Sequence, residues 1–275
     1  VGQFGDLLTY EGRRAVVTGC ASGIGAALVG QLTELGAHVV GLDVRPPPFE
    51  LADFHQMDLS DPASIDAAVD TLGDHVDALF NVAGVSSGIG NPLLVVKIDF
   101  LGTRHLTEAV VPRMPAGSSI VSVSSLAASG YAENMGEVGG LLRTSGFAEG
   151  VRWCHDHPDA LADGGYRLAK EAIILHAMMN AVPLGAEGIR INCTAPGVTE
   201  TPILDQLRAR YGQEYLDGFP QPLGRVSNPA EQAAALAFLN SQAAGFVTGQ
   251  VLWVEGGNLA ARVAATMEGS ASWPA

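Results

Sequence analysis

Tyr166-Arg-Leu-Ala-Lys170 sets a phenol and an ammonium four residues apart. On a helix such a pair lies one turn apart on the same face. A phenol, with a solution pKa of about 10, is a poor proton donor or acceptor near neutrality. A neighbouring ammonium favours the phenolate and lowers that pKa, as a general acid/base working on an alcohol or a carbonyl requires. The spacing alone decides little, because chance supplies Tyr-x-x-x-Lys often. A second chemical feature stands near the start of the chain. Ala15-Val-Val-Thr18-Gly19-Cys-Ala-Ser22-Gly23-Ile24-Gly25 reads as strand, glycine turn and helix. The glycines permit a tight turn and close approach of a pyrophosphate, and the helix N-terminus offers N–H groups and a positive dipole end. Asp43 closes the next β-rich run about 20 residues on, where a carboxylate accepts hydrogen bonds from an adenosine ribose. Its charge would repel the 2′-phosphate of NADP(H), so NAD(H) is the expected cofactor, with Arg45 near enough in sequence to complicate the choice. Ser22 is not basic and offers that phosphate no clamp.

These residues need a frame. β-Rich runs at 14–18, 37–43, 78–82, 119–124, 190–194 and 250–255 alternate with helical patterns at 24–35, 62–71, 92–113, 166–181, 202–211 and 228–240. Strands apolar on both faces and separated by helices predict a doubly wound parallel sheet, an α/β Rossmann fold. No Pro/Gly/Ser linker or internal repeat divides the chain, so one domain is expected over 1–275. The alternation breaks between 126 and 165. A structureless loop of about 40 residues is improbable in a compact domain. Stretches 138–144 and 147–157 have weak helical patterns, with Phe147, Val151 and Cys154 on one face, so a small helical insertion is expected there.

Composition narrows the partners. A net charge of −14, a pI of about 4.7 and no Lys/Arg cluster argue against nucleic acid. Hydrophobic residues at 47% against 16% charged describe a chain that buries a large core. No apolar run approaches the roughly 18 residues of a membrane span, and the start lacks a signal-peptide pattern, so a cytoplasmic protein acting on small molecules is expected. Cys20, Cys154 and Cys193 are widely separated and in no CxxC arrangement, which suits free thiols in a reducing compartment. His155-Asp-His157 has no third ligand in view, and no metal is expected.

The motifs occur in a defined order: Thr18-Gly-x-x-x-Gly-Ile-Gly25, Asp58-Leu59, Asn81-Val-Ala83-Gly84, Ile120-Val-Ser-Val-Ser-Ser125, Tyr166-x-x-x-Lys170 and Asn192-Cys-Thr-Ala-Pro196-Gly197-Val-Thr199-Glu-Thr201-Pro202. In this the chain resembles the short-chain dehydrogenase/reductase family over nearly its whole length. The resemblance implies Tyr166 as general acid/base, and Ser125 (with Ser124 as the alternative) holding the substrate oxygen. It implies Lys170 binding the nicotinamide ribose and lowering the Tyr166 pKa. It puts the dinucleotide against Gly19, Ser22, Gly23, Ile24, Gly25 and Asp43, its adenine against Asp58 and Leu59, and further contacts at Asn81, Ala83 and Gly84. The loop 196–201 then faces the nicotinamide, through Pro196, Gly197, Thr199 and Thr201, and 202–225 corresponds to a substrate lid.

One position departs from the family. Members usually carry Asn in the helix after the fourth strand, completing a proton relay to the lysine; here the position reads as Asp99, or as a misalignment by one turn. A carboxylate accepts from water but cannot donate as an amide does, so an altered relay is expected. Within the family, the glycine turn, Val39-Val-Gly-Leu-Asp43-Val-Arg45, the long insertion and Thr194–Pro202 are most similar to the bacterial 3α-hydroxysteroid dehydrogenase/carbonyl reductase branch. That likeness implies a hydrophobic secondary alcohol or ketone, a steroid or a terpenoid, with alicyclic alcohols the main competitor. Trp153, Phe147, Tyr211 and Phe219 read equally as apolar walls of the site or as ordinary packing. A homodimer or homotetramer is expected from the family, and a catalytically silent NAD sensor is the rival reading.

Overall fold

The computed structural model describes residues 4–269. Its strands are β1 (Arg14–Thr18), β2 (His38–Asp43), β3 (Asp53–Gln56), β4 (Ala78–Asn81), β5 (Ser119–Val123), β6 (Arg190–Pro196) and β7 (Val251–Val254). They form a seven-stranded sheet in the order β3-β2-β1-β4-β5-β6-β7, with every pairing parallel. The helices are α1 (Gly23–Glu34), α2 (Pro62–Asp70), α3 (Pro92–Val96), α4 (Thr103–Val110), α5 (Met135–Leu142), α6 (Phe147–Asp156) and α7 (Tyr166–Ala186). After them come α8 (Pro202–Tyr211), α9 (Gln213–Asp217), α10 (Pro229–Asn240) and α11 (Asn258–Met267).

Successive strand residues point to opposite faces, and here both faces are apolar. Val16 of β1 joins a core with Ile65 of α2, Leu106 of α4 and Ile174 of α7. Its neighbours Ala15 and Val17 join the opposite core with Leu28 and Leu32 of α1 and Leu236 of α10. The sheet is thus the middle layer of three. Strand order reverses between β1 and β4, and in open parallel sheets the crevice beyond the strand ends at that reversal is where ligands bind.

The sequence pattern shows six of these strands and not β3. Asp53-Phe-His-Gln is largely polar and lies at the sheet edge, so it lacks the two-sided apolar signature. Asp53 meets Arg14, His38 and His55 within 3.1 Å, and charges of this kind protect an edge from pairing with other chains. The helical pattern at 92–113 is also not one regular helix. Between α3 and α4 the backbone runs through a π-helical stretch, Lys97–Gly102, and it ends in a 3₁₀ turn at Val111–Arg113. Gly102 at the end of the π stretch sits against the Leu59 carbonyl, where an added Cβ would fall 2.0 Å from the oxygen.

The insertion is helical, as α5 and α6. Val138, Leu141, Phe147 and Cys154 enter the same core as α4 and α7. Gly150 of α6 lies on Leu101, and the buried Arg104 guanidinium donates to the Thr144 carbonyl and hydroxyl at 3.1–3.2 Å. Trp153 packs over Gly140 and stacks on His157 at 4.3 Å. Phe147 and Trp153 therefore cement the insertion onto the body, the packing reading of the two. The three cysteines are free and buried.

Replacing Gly102 with Ala forces a methyl group into the Leu59 carbonyl, and overpacking of this kind costs about 1–3 kcal/mol. Urea unfolding of Gly102→Ala is expected to show that loss; wild-type stability would mean that the π stretch does not need this contact.

Candidate active site

The glycine turn after β1 is a cradle. Gly19 has φ +69°, and a Cβ there would lie 2.8 Å from the Ala83 backbone. A Cβ at Gly25 would lie 2.0 Å from the Gly19 carbonyl, and Gly23, at φ +54°, faces Thr201. The first turn of α1 is buried at Gly25 and half-buried at Ile24, and Ser22 before it makes no side-chain cap. The Thr18 hydroxyl accepts from Val82 and Ala83 N–H at 2.9 and 3.0 Å, which ties the segment after β4 to the end of β1. At the end of β2 the Asp43 carboxylate accepts from Ala21 N–H at 3.0 Å and from Arg45 N–H at 3.2 Å, so it stands beside the turn. Asp58 is exposed and closes an Asx turn onto Ser60 N–H, while Leu59 is buried. Asn81 turns its amide inward, donating to Thr107 and Ser122.

The candidate proton-handling residues Tyr166, Lys170 and Asp99 meet at α7. Lys170 is 4% exposed and Asp99 1%, and Nζ approaches Asp99 Oδ2 at 3.2 Å. Nζ also donates to the Val123 carbonyl at 3.2 Å and lies 5.6 Å from the centre of the Tyr166 ring. Val85 N–H donates to Asp99 Oδ1 at 2.8 Å. Gly84 passes so close that a Cβ would be 3.2 Å from Nζ and 3.3 Å from Oδ1. Burial pushes the Asp99 carboxyl up from the usual carboxylate range, against the pull of Lys170. Burial works against the Lys170 ammonium too, but the Asp99 and Tyr166 charges outweigh it and hold this lysine above its ordinary value. The pair is therefore an ammonium kept charged in a dry site by one dedicated counter-ion.

The two serines after β5 differ. Ser124 is buried and donates to the Lys170 carbonyl at 2.7 Å, fastening α7 to the sheet. Ser125 is half-buried and its hydroxyl accepts from Ala127 N–H at 3.2 Å, leaving its own proton to donate. After β6, Gly197 packs on Glu255, where a Cβ would lie 2.8 Å from its Cα, and its N–H donates to the Val254 carbonyl at the edge of Pro196. The Thr199 and Ser227 hydroxyls meet at 2.8 Å, pinning together the two ends of the segment that carries α8 and α9. Thr201 precedes α8 and donates to the Thr199 carbonyl.

Two features of the site carried no signal in the sequence. One is the π stretch bearing Asp99; π turns recur at functional sites, and this one carries the carboxylate to Lys170. The other is Arg167, beside Tyr166. Its guanidinium donates to Asp163 at 2.7 Å, Glu171 at 2.8 Å and Glu137 of α5 at 2.9 Å. The Glu171 side chain is fully buried and also accepts from Asn134 at 2.7 Å. One residue thus locks the insertion and the turn before α7 to the helix that carries Tyr166 and Lys170. Among the described residues no cluster of His, Cys, Asp or Glu could hold a metal ion, and no helix is long and apolar enough to cross a membrane.

With this geometry the comparisons agree. Residues 13–136 match the family model described as short chain dehydrogenase, and residues 160–258 one described as Enoyl-(Acyl carrier protein) reductase. The coniferyl-alcohol dehydrogenase of a Pseudomonas species is 36% identical over 89% of this chain and 96% of its own length. The 3-alpha-hydroxysteroid dehydrogenase/carbonyl reductase of Comamonas testosteroni is 32% identical over 88% of this chain and 95% of its own. Among solved structures, the 3-alpha-hydroxysteroid dehydrogenase of Pseudomonas sp. B-0831, complexed with NADH, superposes with a TM-score of 0.78 at 33% identity. That match covers 94% of this chain and all of the other. The chain belongs to the short-chain dehydrogenase/reductase family and is an oxidoreductase of that kind.

Asp99→Asn removes the counter-ion and leaves the buried Lys170 exposed to its desolvation penalty, so its pKa falls. The alkaline limb of the kcat–pH profile is expected to move to lower pH. A variant with unchanged rate and unchanged profile would take Asp99 out of the proton-handling group.

Proposed function

We propose that the chain is an NAD-dependent dehydrogenase that interconverts a hydrophobic secondary alcohol and its ketone, with Tyr166 as general acid/base. The observation that carries this reading is the Tyr166 ring above an ammonium that is buried, charged and paired with Asp99. The turn after β1 supports a dinucleotide reading: Gly19, Gly23 and Gly25 let it close tightly on Ala83, Thr201 and its own backbone, where a Cβ would collide or crowd, and the N-terminus of α1 would present N–H groups to a pyrophosphate. Asp43 would accept from the adenosine ribose hydroxyls, and Asp58 and Leu59 would flank the adenine. Ala83 and Gly84 would border the same dinucleotide, with Asn81 bearing on it only through its backbone because its amide turns inward, and Pro196, Gly197, Thr199 and Thr201 would stand on the nicotinamide side.

When bound, NAD⁺ accepts the carbinol hydride and NADH returns it. The Tyr166 oxygen takes the alcohol proton in oxidation and gives it back in reduction. Ser125 donates its hydroxyl to the substrate oxygen as negative charge builds there. Lys170 stabilises the phenolate and binds the nicotinamide ribose, and Asp99 keeps it charged. Segment 202–225, pinned at its ends by Thr199 and Ser227, acts as the lid that excludes water.

The relatives' names support a hydrophobic alcohol, coniferyl alcohol in one and a 3-alpha-hydroxysteroid in another. A cyclic terpenoid or other alicyclic alcohol is the alternative substrate within the same chemistry. Tyr166, Lys170 and Ser125 are all present, which weighs against a catalytically silent NAD sensor. The free, buried thiols suit a cytoplasmic enzyme, and a homodimer or homotetramer is the assembly proposed.

The test is NADH absorbance with steroids, cyclic terpenols and alicyclic alcohols. Turnover of at least one class is expected; NAD(H) binding with no turnover across all of them would sink the reading in favour of a sensor. Tyr166→Phe is expected to lower kcat by about 100- to 10,000-fold with NADH affinity retained. Near-normal turnover would remove Tyr166 from its role. Losing the charged acceptor in Asp43→Ala is expected to raise the NADP(H)/NAD(H) ratio of kcat/KM about 10- to 100-fold, and an unchanged ratio would contradict the cofactor assignment.

A further inference from the structure

The segment carrying α8 and α9 bears a row of three aromatic rings that the catalytic chemistry does not use. Tyr211, Tyr215 and Phe219 follow one another at four-residue spacing. Tyr211 and Tyr215 lie 5.0 Å apart, tilted by 38°, and Tyr215 and Phe219 meet edge to face at 5.3 Å and 85°. The row is held in place. Leu204 and Leu216, both 3% exposed, anchor the segment to the body, and the Tyr211 hydroxyl donates to Ser87 at 3.1 Å. Ser87 lies against Gly164, two residues before Tyr166, so the row stands at the catalytic end of the sheet. Tyr215 lies close enough to Tyr166 to sense its charge: burial first, then the Tyr211 and Tyr166 phenols, raise its pKa. Tyr211 and Tyr215 nevertheless remain 43% and 48% exposed, so their rings keep a free surface beside the reacting centre.

We infer that this row is a specificity wall, and that the favoured substrate carries a flat aromatic ring next to its carbinol carbon. The inference rests on the alcohol–ketone reading above. An aromatic ring prefers offset stacking or an edge-to-face approach to another, because its face is negative and its edge positive. Tyr215 and Phe219 already stand perpendicular, so a planar ring beside them finds a face and an edge together. A saturated ring of the same size buries similar area but has no quadrupole, and its axial hydrogens keep it off the Tyr215 face. One such aromatic contact is worth about 2- to 10-fold beyond the buried area.

The test uses a matched pair, 1-phenylethanol and 1-cyclohexylethanol, whose carbon skeletons differ only in ring saturation. The ratio of their kcat/KM values is measured for wild type, Tyr215→Phe and Tyr215→Leu. In parallel, calorimetry measures binding of acetophenone and of cyclohexyl methyl ketone to the NADH-loaded protein. Wild type is expected to favour the aryl member about 3- to 10-fold in both measurements. Tyr215→Phe is expected to keep the preference and Tyr215→Leu to lose most of it. Equal treatment of the pair by wild type, or a preference that survives Tyr215→Leu, would overturn the inference. Turnover without aryl preference would do so while leaving the dehydrogenase reading intact. Aryl-selective binding with no turnover of either alcohol would sustain the wall and count against that reading.

Discussion

The structure depends on keeping one ammonium charged where water is nearly absent. Taking a lysine out of water costs several kcal/mol, and only close, well-placed negative charge offsets that. Lys170 has the Asp99 carboxylate at 3.2 Å, the Val123 carbonyl at 3.2 Å and the Tyr166 ring above it. Much of the surrounding architecture follows from that requirement. The helix after β4 loosens into a π stretch that carries Asp99, Gly84 has no side chain to push Nζ away, and Ser124 fastens the Lys170 backbone to β5. Asp99 is itself buried and accepts from Val85 N–H, so the counter-ion is oriented by the segment that follows β4.

A second constraint acts on the helix that carries Tyr166 and Lys170. Gly165, at φ +74°, starts α7, and it packs so tightly that a Cβ would fall 2.6 Å from the Pro92 carbonyl. Arg167 then ties the start of this helix to α5, to the preceding turn and to the buried Glu171. The insertion therefore braces the start of α7 from outside, while Ser124 holds the helix from the sheet side at the Lys170 carbonyl. It also buries Phe147 and Cys154 against the core, so it is part of the same folded body.

How far the sequence revealed this varies with the physics of each element. Strands buried on both faces carry an unmistakable apolar run, which is why β1, β2, β4, β5 and β6 can be read from the chain; β7, half-buried at the far edge, is legible from its own run Val-Leu-Trp-Val. Polar β3 at the edge carries none, and α11 also lacked a clear pattern. Tyr166 and Lys170 stand out as candidates by spacing and motif order, and Asp99 by its departure from the family's usual Asn. Their mutual geometry could not be read there, since it involves a π stretch that packs at Gly102 against Leu59, far away in sequence. The Arg167 fork was invisible for a related reason: its three carboxylate partners come from separate segments and obey no periodicity. The ring row through Tyr215 was not legible because it lies in a short exposed helix, where spacing says nothing about which face meets the body.

The claim at the centre of this account is that Asp99 keeps Lys170 charged beneath Tyr166. The most direct measurement is a pH titration of the protein with ¹³C at lysine Cε, followed by NMR, with the Lys170 signal assigned from Lys170→Met. The account predicts that this lysine titrates above the ordinary lysine range, the direction set by Asp99 and Tyr166 over burial. A Lys170 that loses its proton at or below the ordinary value would contradict it, because burial would then have outweighed the Asp99 and Tyr166 charges.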